Sequence, residues 1–206
     1  MPYNPPHQES APRIPEPYAQ NIFYYSQRDI MMRASANKPW QFCEIRPDAI
    51  IGFVPQGNAM NIAQALGLFL SLWIHVEGVH AVVPFPGTRE AWTALHTDTS
   101  QDVLARFHVF ASLNPERVAG EAFNVADGDA VTWEAVWPKL CAWFGLTGGG
   151  PLGGSEHFDA KLWVERYQGE WEGWAKRNGL VPGIIGESGW SFMQVRFGNP
   201  LVLCIV

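Results

Sequence analysis

The chain has 206 residues, 47% of them hydrophobic and 17% charged, with 14 Lys and Arg against 20 Asp and Glu for a formal charge of −6. This is a globular balance, and it excludes a disordered or collagen-like chain. The acidic surplus argues against a nucleic-acid binder, which needs a basic face, while ten Trp and twelve Phe imply a large aromatic core or an aromatic-lined pocket.

Residues 1–20 are rich in proline (Pro2, Pro5, Pro6, Pro12, Pro15, Pro17) and read as an extended leader. Their opening, MPYNPPHQES, lacks the basic and apolar regions of a signal peptide. A helix is predicted over Ser26–Ala36, with Ser26 as its N-cap and Ile30, Met31 and Ala34 at helical spacing. Gln41–Arg46 alternates and stops at Pro47, which predicts a strand. After a turn at Gly57-Asn58, Met60–Val76 is the most apolar stretch. Asn61, Gln64, Ser71 and His75 interrupt it, and it falls short of the ~20 apolar residues of a membrane span. It reads as a buried amphipathic helix.

Further along, Ala81–Val83 predicts a short strand ending at Pro84, and Asp98 or Thr99 caps a helix over Gln101–Leu113. Glu121–Val125 predicts a strand closed by the Asp127-Gly128 turn. Thr132 caps a helix carrying Trp133, Val136, Trp137, Leu140 and Trp143 on one face, ended by Gly145. Gly148–Gly154 reads as a flexible loop and Ala160–Gly179 as a third amphipathic helix, followed at the end by a wholly apolar Leu201–Val206. Strands alternate with helices, so the class is α/β. There is no tandem repeat.

Few residues point to chemistry by pattern alone. Cys43, Cys141 and Cys204 are far apart and odd in number, which argues against a disulfide framework or zinc site and suits a reducing, cytoplasmic setting. His75 and His80 lack a third ligand at useful spacing, so no metal is expected. The Gly148–Gly154 run is not followed by Lys-Ser/Thr as a phosphate loop would be, and Gly186–Gly189 has the wrong glycine spacing for a nucleophile elbow. The pair Tyr24-Tyr25 reads first as core packing, though a tyrosine hydroxyl also stabilises an oxyanion or carries a proton.

Four segments in order carry a resemblance. Asn21-Ile-Phe-Tyr-Tyr-Ser-Gln-Arg-Asp-Ile30 resembles an NFYYxxED signature, and Ile45–Phe53 resembles an RPxxIxGF strand and loop. Phe85-Pro86-Gly87 with Trp92 resembles an F-x-G…W segment. Glu121–Asp129 resembles EAFNVxNGD, continued by Trp133, Trp137 and Phe144-Gly145. These are motifs of the atypical short-chain dehydrogenase/reductases of the progesterone 5β-reductase and iridoid synthase-like (PRISE-like) family, which has many fungal members. The resemblance spans residues 8–192 and implies the C-terminal portion of a Rossmann-type fold, with late sheet strands and a mainly helical substrate-side domain. On that reading residues 1–20 are the leader, 21–197 an incomplete reductase domain and 198–206 an atypical apolar tail.

The resemblance implies NADPH as cofactor and a small metabolite as substrate, reduced at an enone double bond or a carbonyl. Tyr24 matches the family's catalytic tyrosine. A phenol about 3 Å from a carbonyl oxygen stabilises the charge that develops there. Arg46, Pro47 and Ile50 would pass beside the nicotinamide, and Met60, Asn61 and Trp92 would border the substrate. No nucleic-acid or membrane partner is expected.

The sequence departs from the family in three ways. It shows no strand, Gly-rich turn and helix to hold a pyrophosphate, and no upstream lysine, so it reads as lacking the cofactor-binding half. The signature glutamate is Arg28, one helical turn after Tyr24, expected to be a solvated surface residue. The ending differs as well. The alternative reading is a catalytically inactive truncated remnant, or a fragment that binds a partner through an exposed sheet edge.

Overall fold

A computed structural model describes residues 7–55, 58–153, 158–186 and 188–198. In chain order the elements are α1 (Phe23–Ser35), β1 (Glu44–Pro47), β2 (Ala49–Ile51), α2 (Ile62–Glu77), β3 (Val82–Phe85), α3 (Arg89–Thr93), β4 (Asp98–Ser100), α4 (Gln101–Leu113), α5 (Pro115–Val118), β5 (Ala122–Val125), α6 (Trp133–Trp143), β6 (Thr147–Pro151), α7 (Ala160–Arg177) and α8 (Trp190–Gly198). The α/β alternation is present. The described residues divide into two units, one built on residues 7–50 and 97–129, the other on residues 51–96 and 130–198.

The second unit holds the main core. In α2, Ile62, Ala65, Leu66, Phe69, Leu70, Leu72 and Trp73 are buried, the repeat that puts apolar side chains along one side of a helix. Asn61 caps its start, accepting from the Gln64 N–H, and Gly78 at φ +92° ends it. Trp73 stacks on Trp163 of α7 with ring centroids 4.5 Å apart, and Phe69 meets Trp163 edge-on at 5.8 Å. Offset and edge-on geometries are the ones aromatic quadrupoles favour.

Beside this cluster β3 and β6 run parallel, pairing Val82 with Thr147 and Val83 with Gly148. The Gly148–Gly154 loop expectation is therefore corrected over Thr147–Pro151. Gly148 and Gly149 serve close packing, whereas a Cβ on Gly150 would meet open space. A Cβ on Gly148 would stand 2.7 Å from the Pro138 Cα of α6, and one on Gly149 3.0 Å from Val82. The predicted face of α6 is also corrected at its end, because Trp137 is fully buried while Trp143 is 86% exposed.

The first unit is thinner. Its strands β1 and β5 pair in parallel, Glu44 with Ala122 through Pro47 with Val125, and β2 pairs with β4. Phe107 of α4 packs on Phe123 of β5 at 5.3 Å. Among the described residues its buried apolar side chains are Ala111, Val118 and Val125. Helix α4 has its predicted bounds, but its cap is Ser100, which accepts from the Val103 N–H, rather than Asp98 or Thr99. Helix α1 begins earlier than expected, at Phe23 with Ile22 in the cap position, so Ser26 lies inside it.

The segment before α1 is attached to this unit. Glu9 accepts from the Asn124 N–H at 2.8 Å, and the Asn124 amide donates to the His7 carbonyl at 2.8 Å. Arg13 grips Asp29 of α1 through both guanidinium nitrogens. The Leu201–Val206 tail, Gly57 and Gly154 lie outside the described residues.

Candidate functional site

The two adjacent tyrosines of α1 have different fates. Tyr25 is half-buried, its hydroxyl accepts from the Ile14 N–H at 2.9 Å, and the Arg13 guanidinium lies 4.9 Å over its ring. Tyr24 packs its ring on Phe23 and is 62% exposed. The core-packing expectation is thus corrected for Tyr24. Its side chain is presented largely to solvent.

Helix α1 has no buried residue and is held by polar contacts. Arg28, one turn after Tyr24, pairs with Glu44 of β1 at 3.1 Å. Glu44 also takes a two-pronged grip from Arg46, at 3.0 and 2.9 Å. Arg28 is therefore an anchor between α1 and β1, not merely a solvated cation. Burial pushes the Glu44 carboxyl upward, but the Arg46 hydrogen bond and the charges of Arg46 and Arg28 outweigh it and hold Glu44 below its ordinary value. The Arg46 guanidinium, further bonded to the Glu9 carbonyl, is committed within the chain. Pro47 and Ile50 lie just beyond, at the carboxyl end of the parallel pair, with Ile50 45% exposed. In α/β sheets ligands bind at that end.

Between Pro47 and Ile50 lies a cluster that sequence reasoning missed. Asp48 is buried, and its carboxylate accepts from the Ala49 N–H at 2.7 Å and the Thr97 hydroxyl at 2.8 Å. The Thr99 hydroxyl accepts from the Asp48 N–H at 3.1 Å and donates to the Val125 carbonyl at 2.6 Å. The available signal was the spacing of Thr97 and Thr99, two positions apart, which turns two hydroxyls to the same side of an extended chain.

The substrate-side candidates lie in the second unit. Met60 is 64% exposed, with its N–H donating to the Asn58 side chain at 2.8 Å. Asn61 is engaged as the α2 cap. Trp92 of α3 is buried against Phe85 at 5.1 Å. The structure thus gathers Tyr24, Arg46, Pro47 and Ile50 in one unit and Met60, Asn61 and Trp92 in the other. An open groove of about 730 Å³ in the first unit, lined by Phe42, Cys43, Ile45, His108 and Val118 among others, includes none of the seven.

His75 stacks on Trp174. No cluster of three His, Cys, Asp or Glu among the described residues is arranged to hold a metal, and no helix among them is long and apolar enough to cross a membrane.

The described residues suit one end of a dinucleotide. The carboxyl ends of β1 and β5, with Pro47 and exposed Ile50, offer an edge for a nicotinamide ring. Asn61, Ser100, Thr132 and Asp159 cap the N-termini of α2, α4, α6 and α7, which leaves those less open to a pyrophosphate than the start of α1, where no side chain caps. The Asp159 carboxylate would also repel phosphate. Gly148 and Gly149 of β6 face Pro138 and Val82, and the run is a strand rather than a turn.

A family model described as a PRISE-like Rossmann-fold domain matches residues 1–194. The short chain dehydrogenase sirS of Leptosphaeria maculans is 43% identical over 185 residues, covering 89% of this chain and 41% of that protein. The short chain dehydrogenase sirQ of the same fungus is 33% identical, covering 95% of this chain and 49% of its own length. The (S)-8-oxocitronellyl enol synthase ISY1 of Nepeta racemosa is 31% identical, covering 96% of this chain and 49% of that protein. The chain spans about half the length of the curated relatives it matches.

Proposed function

Because the chain belongs to the PRISE-like Rossmann-fold domain family, within the short-chain dehydrogenases, we propose that it serves an NADPH-dependent reduction of an enone double bond or a carbonyl in a small metabolite. The observation that carries the reading is the exposed phenol of Tyr24, on the helix whose Arg28 is tied to the strand carrying Arg46 and Pro47. A nicotinamide supplies the hydride when bound. This chain's residues would do the rest.

Tyr24 would donate its hydroxyl to the substrate oxygen as charge collects there, and would then deliver the proton. A relative named as an enol synthase supports an oxygen-bearing product of that kind. Pro47 and Ile50 would give the ring an apolar edge. Met60, with Asn61 fixing the start of α2 and Trp92 stiffening α3, would supply the substrate side. The free thiols of Cys43 and Cys141 support a reducing, cytoplasmic setting.

The test is Tyr24→Phe in the active protein. Removing one oxyanion donor costs on the order of 10²–10³ in turnover, so a loss of that size with NADPH binding retained is expected. Unchanged turnover would overturn the role. A fluorescence titration of the 206-residue chain with NADPH decides whether it acts by itself, because a flat titration rules out autonomous catalysis.

A further inference from the structure

We propose that the Thr99 hydroxyl is a positioning group, which with Asp48 and Thr97 fixes the Pro47–Ile50 segment in the shape that receives the nicotinamide end of the cofactor. The proposal rests on the functional reading above and adds to it a residue outside the motifs that led there.

The argument begins with Pro47. Proline has no N–H, so the last position of β1 donates nothing to a hydrogen-bond ladder. The next two amides are the first fixed points of the segment, and side chains fix both. The Asp48 N–H donates to Thr99 Oγ1 at 3.1 Å, and the Ala49 N–H donates to the Asp48 carboxylate at 2.7 Å. Thr97 holds the other carboxylate oxygen at 2.8 Å. Thr99 then donates its one proton to the Val125 carbonyl, at the end of β5. One hydroxyl therefore joins the end of β5 to the turn that leaves β1.

The hydroxyl is fully buried, as is nearly all of Thr97. Packing alone does not call for this arrangement. Apolar residues of similar shape often serve stability as well as a buried polar cluster does, and the best-attested use of such clusters is to specify one geometry. The geometry specified here leaves Ile50 outward at the carboxyl edge of the parallel pair.

A pair of substitutions separates positioning from packing. Thr99→Val keeps the volume and removes both hydrogen bonds. Thr99→Ser keeps the hydroxyl and leaves a methyl-sized void. If positioning is the role, Thr99→Val weakens NADPH binding roughly tenfold while Thr99→Ser stays within about twofold. Amide exchange at Asp48 and Ala49, read without cofactor, speeds up in Thr99→Val only. A packing role predicts the reverse order, and that result, or equal exchange and binding in all three chains, overturns the proposal. If Thr99→Val does not fold, Thr97→Val removes the donor to Asp48 and is read in the same way. If the unaltered chain gives no saturable signal with NADPH, it does not take the cofactor by itself and the positioning role falls, while the functional reading is left to the Tyr24→Phe test. If it binds and the variants match it, only the positioning role falls.

Discussion

Gly87 and Phe197 meet backbone to backbone. The Thr88 N–H donates to the Phe197 carbonyl at 3.0 Å, and a Cβ on Gly87 would stand 2.7 Å from that same oxygen and 2.6 Å from the Phe85 ring. The glycine of the Phe85-Pro86-Gly87 segment is thus the seat on which the end of α8 rests. Gly87→Ala is expected to destabilise the chain by about 1–3 kcal/mol, the usual range for overpacking a tight site. Urea unfolding measures it, and an unchanged midpoint would mean the contact is looser than described.

Trp137 is fully buried, and its indole N–H donates to the Val83 carbonyl at 3.1 Å, tying α6 to β3. Trp137→Phe keeps an aromatic ring but leaves that carbonyl without its indole donor, at a cost of roughly 1–3 kcal/mol. Trp143→Phe, on the same helix but 86% exposed, should stay within about 0.5 kcal/mol. Equal losses in the two variants would contradict the assigned burial.

Glu44 binds two arginines and titrates below its ordinary value of 4.5. A carboxyl lowered by folding contributes stability above its unfolded pKa and loses it as pH falls through the folded one. The difference in unfolding free energy between the unaltered chain and Glu44→Gln should therefore be constant from about pH 6 to 8 and shrink below about pH 4.5. Its size should stay under about 1 kcal/mol, because the pair is partly solvated. A difference that grows on acidification would reverse the assigned sign.

The thiols should react in order. Burial pushes Cys141 up to about 12, so little thiolate forms at neutral pH, whereas Cys43 is half-buried beside the open groove. Peptide mapping after brief alkylation should find Cys43 modified well before Cys141. Modification of Cys141 first would show that its part of the core opens readily.

The long helices were legible because their signals are local. The apolar repeat of α2 and the bounds of α4 follow from residues within a few turns of one another. Strand β6 was not, because a glycine run kept for flexibility and one kept for close packing leave the same mark in a sequence; only the approach of Pro138 to Gly148 distinguishes them. Helix α3 has five residues and offers too short a pattern to read. At the candidate site, Tyr24, Arg46 and Pro47 were reachable through contiguous motifs. Asp48 lay inside one of those motifs with nothing to mark its role, and Thr99 was out of reach, since it is 51 positions away and only the fold brings its hydroxyl to the Asp48 N–H. The contrast between Tyr24 and Tyr25 was equally hidden, being set by where the Ile14 amide falls.

The unequal division of buried apolar side chains has a thermodynamic consequence. The unit carrying Tyr24 and Ile50 buries few of them, and the other holds the aromatic cluster of α2 and α7. Free energies of local opening follow such differences, so the Tyr24 unit is the one expected to sample open forms most often. A ligand that binds only its closed form adds stability in proportion to the logarithm of its concentration. Saturation of that site and ordering of that unit would then be one equilibrium, read equally well by a binding curve or by a melting curve.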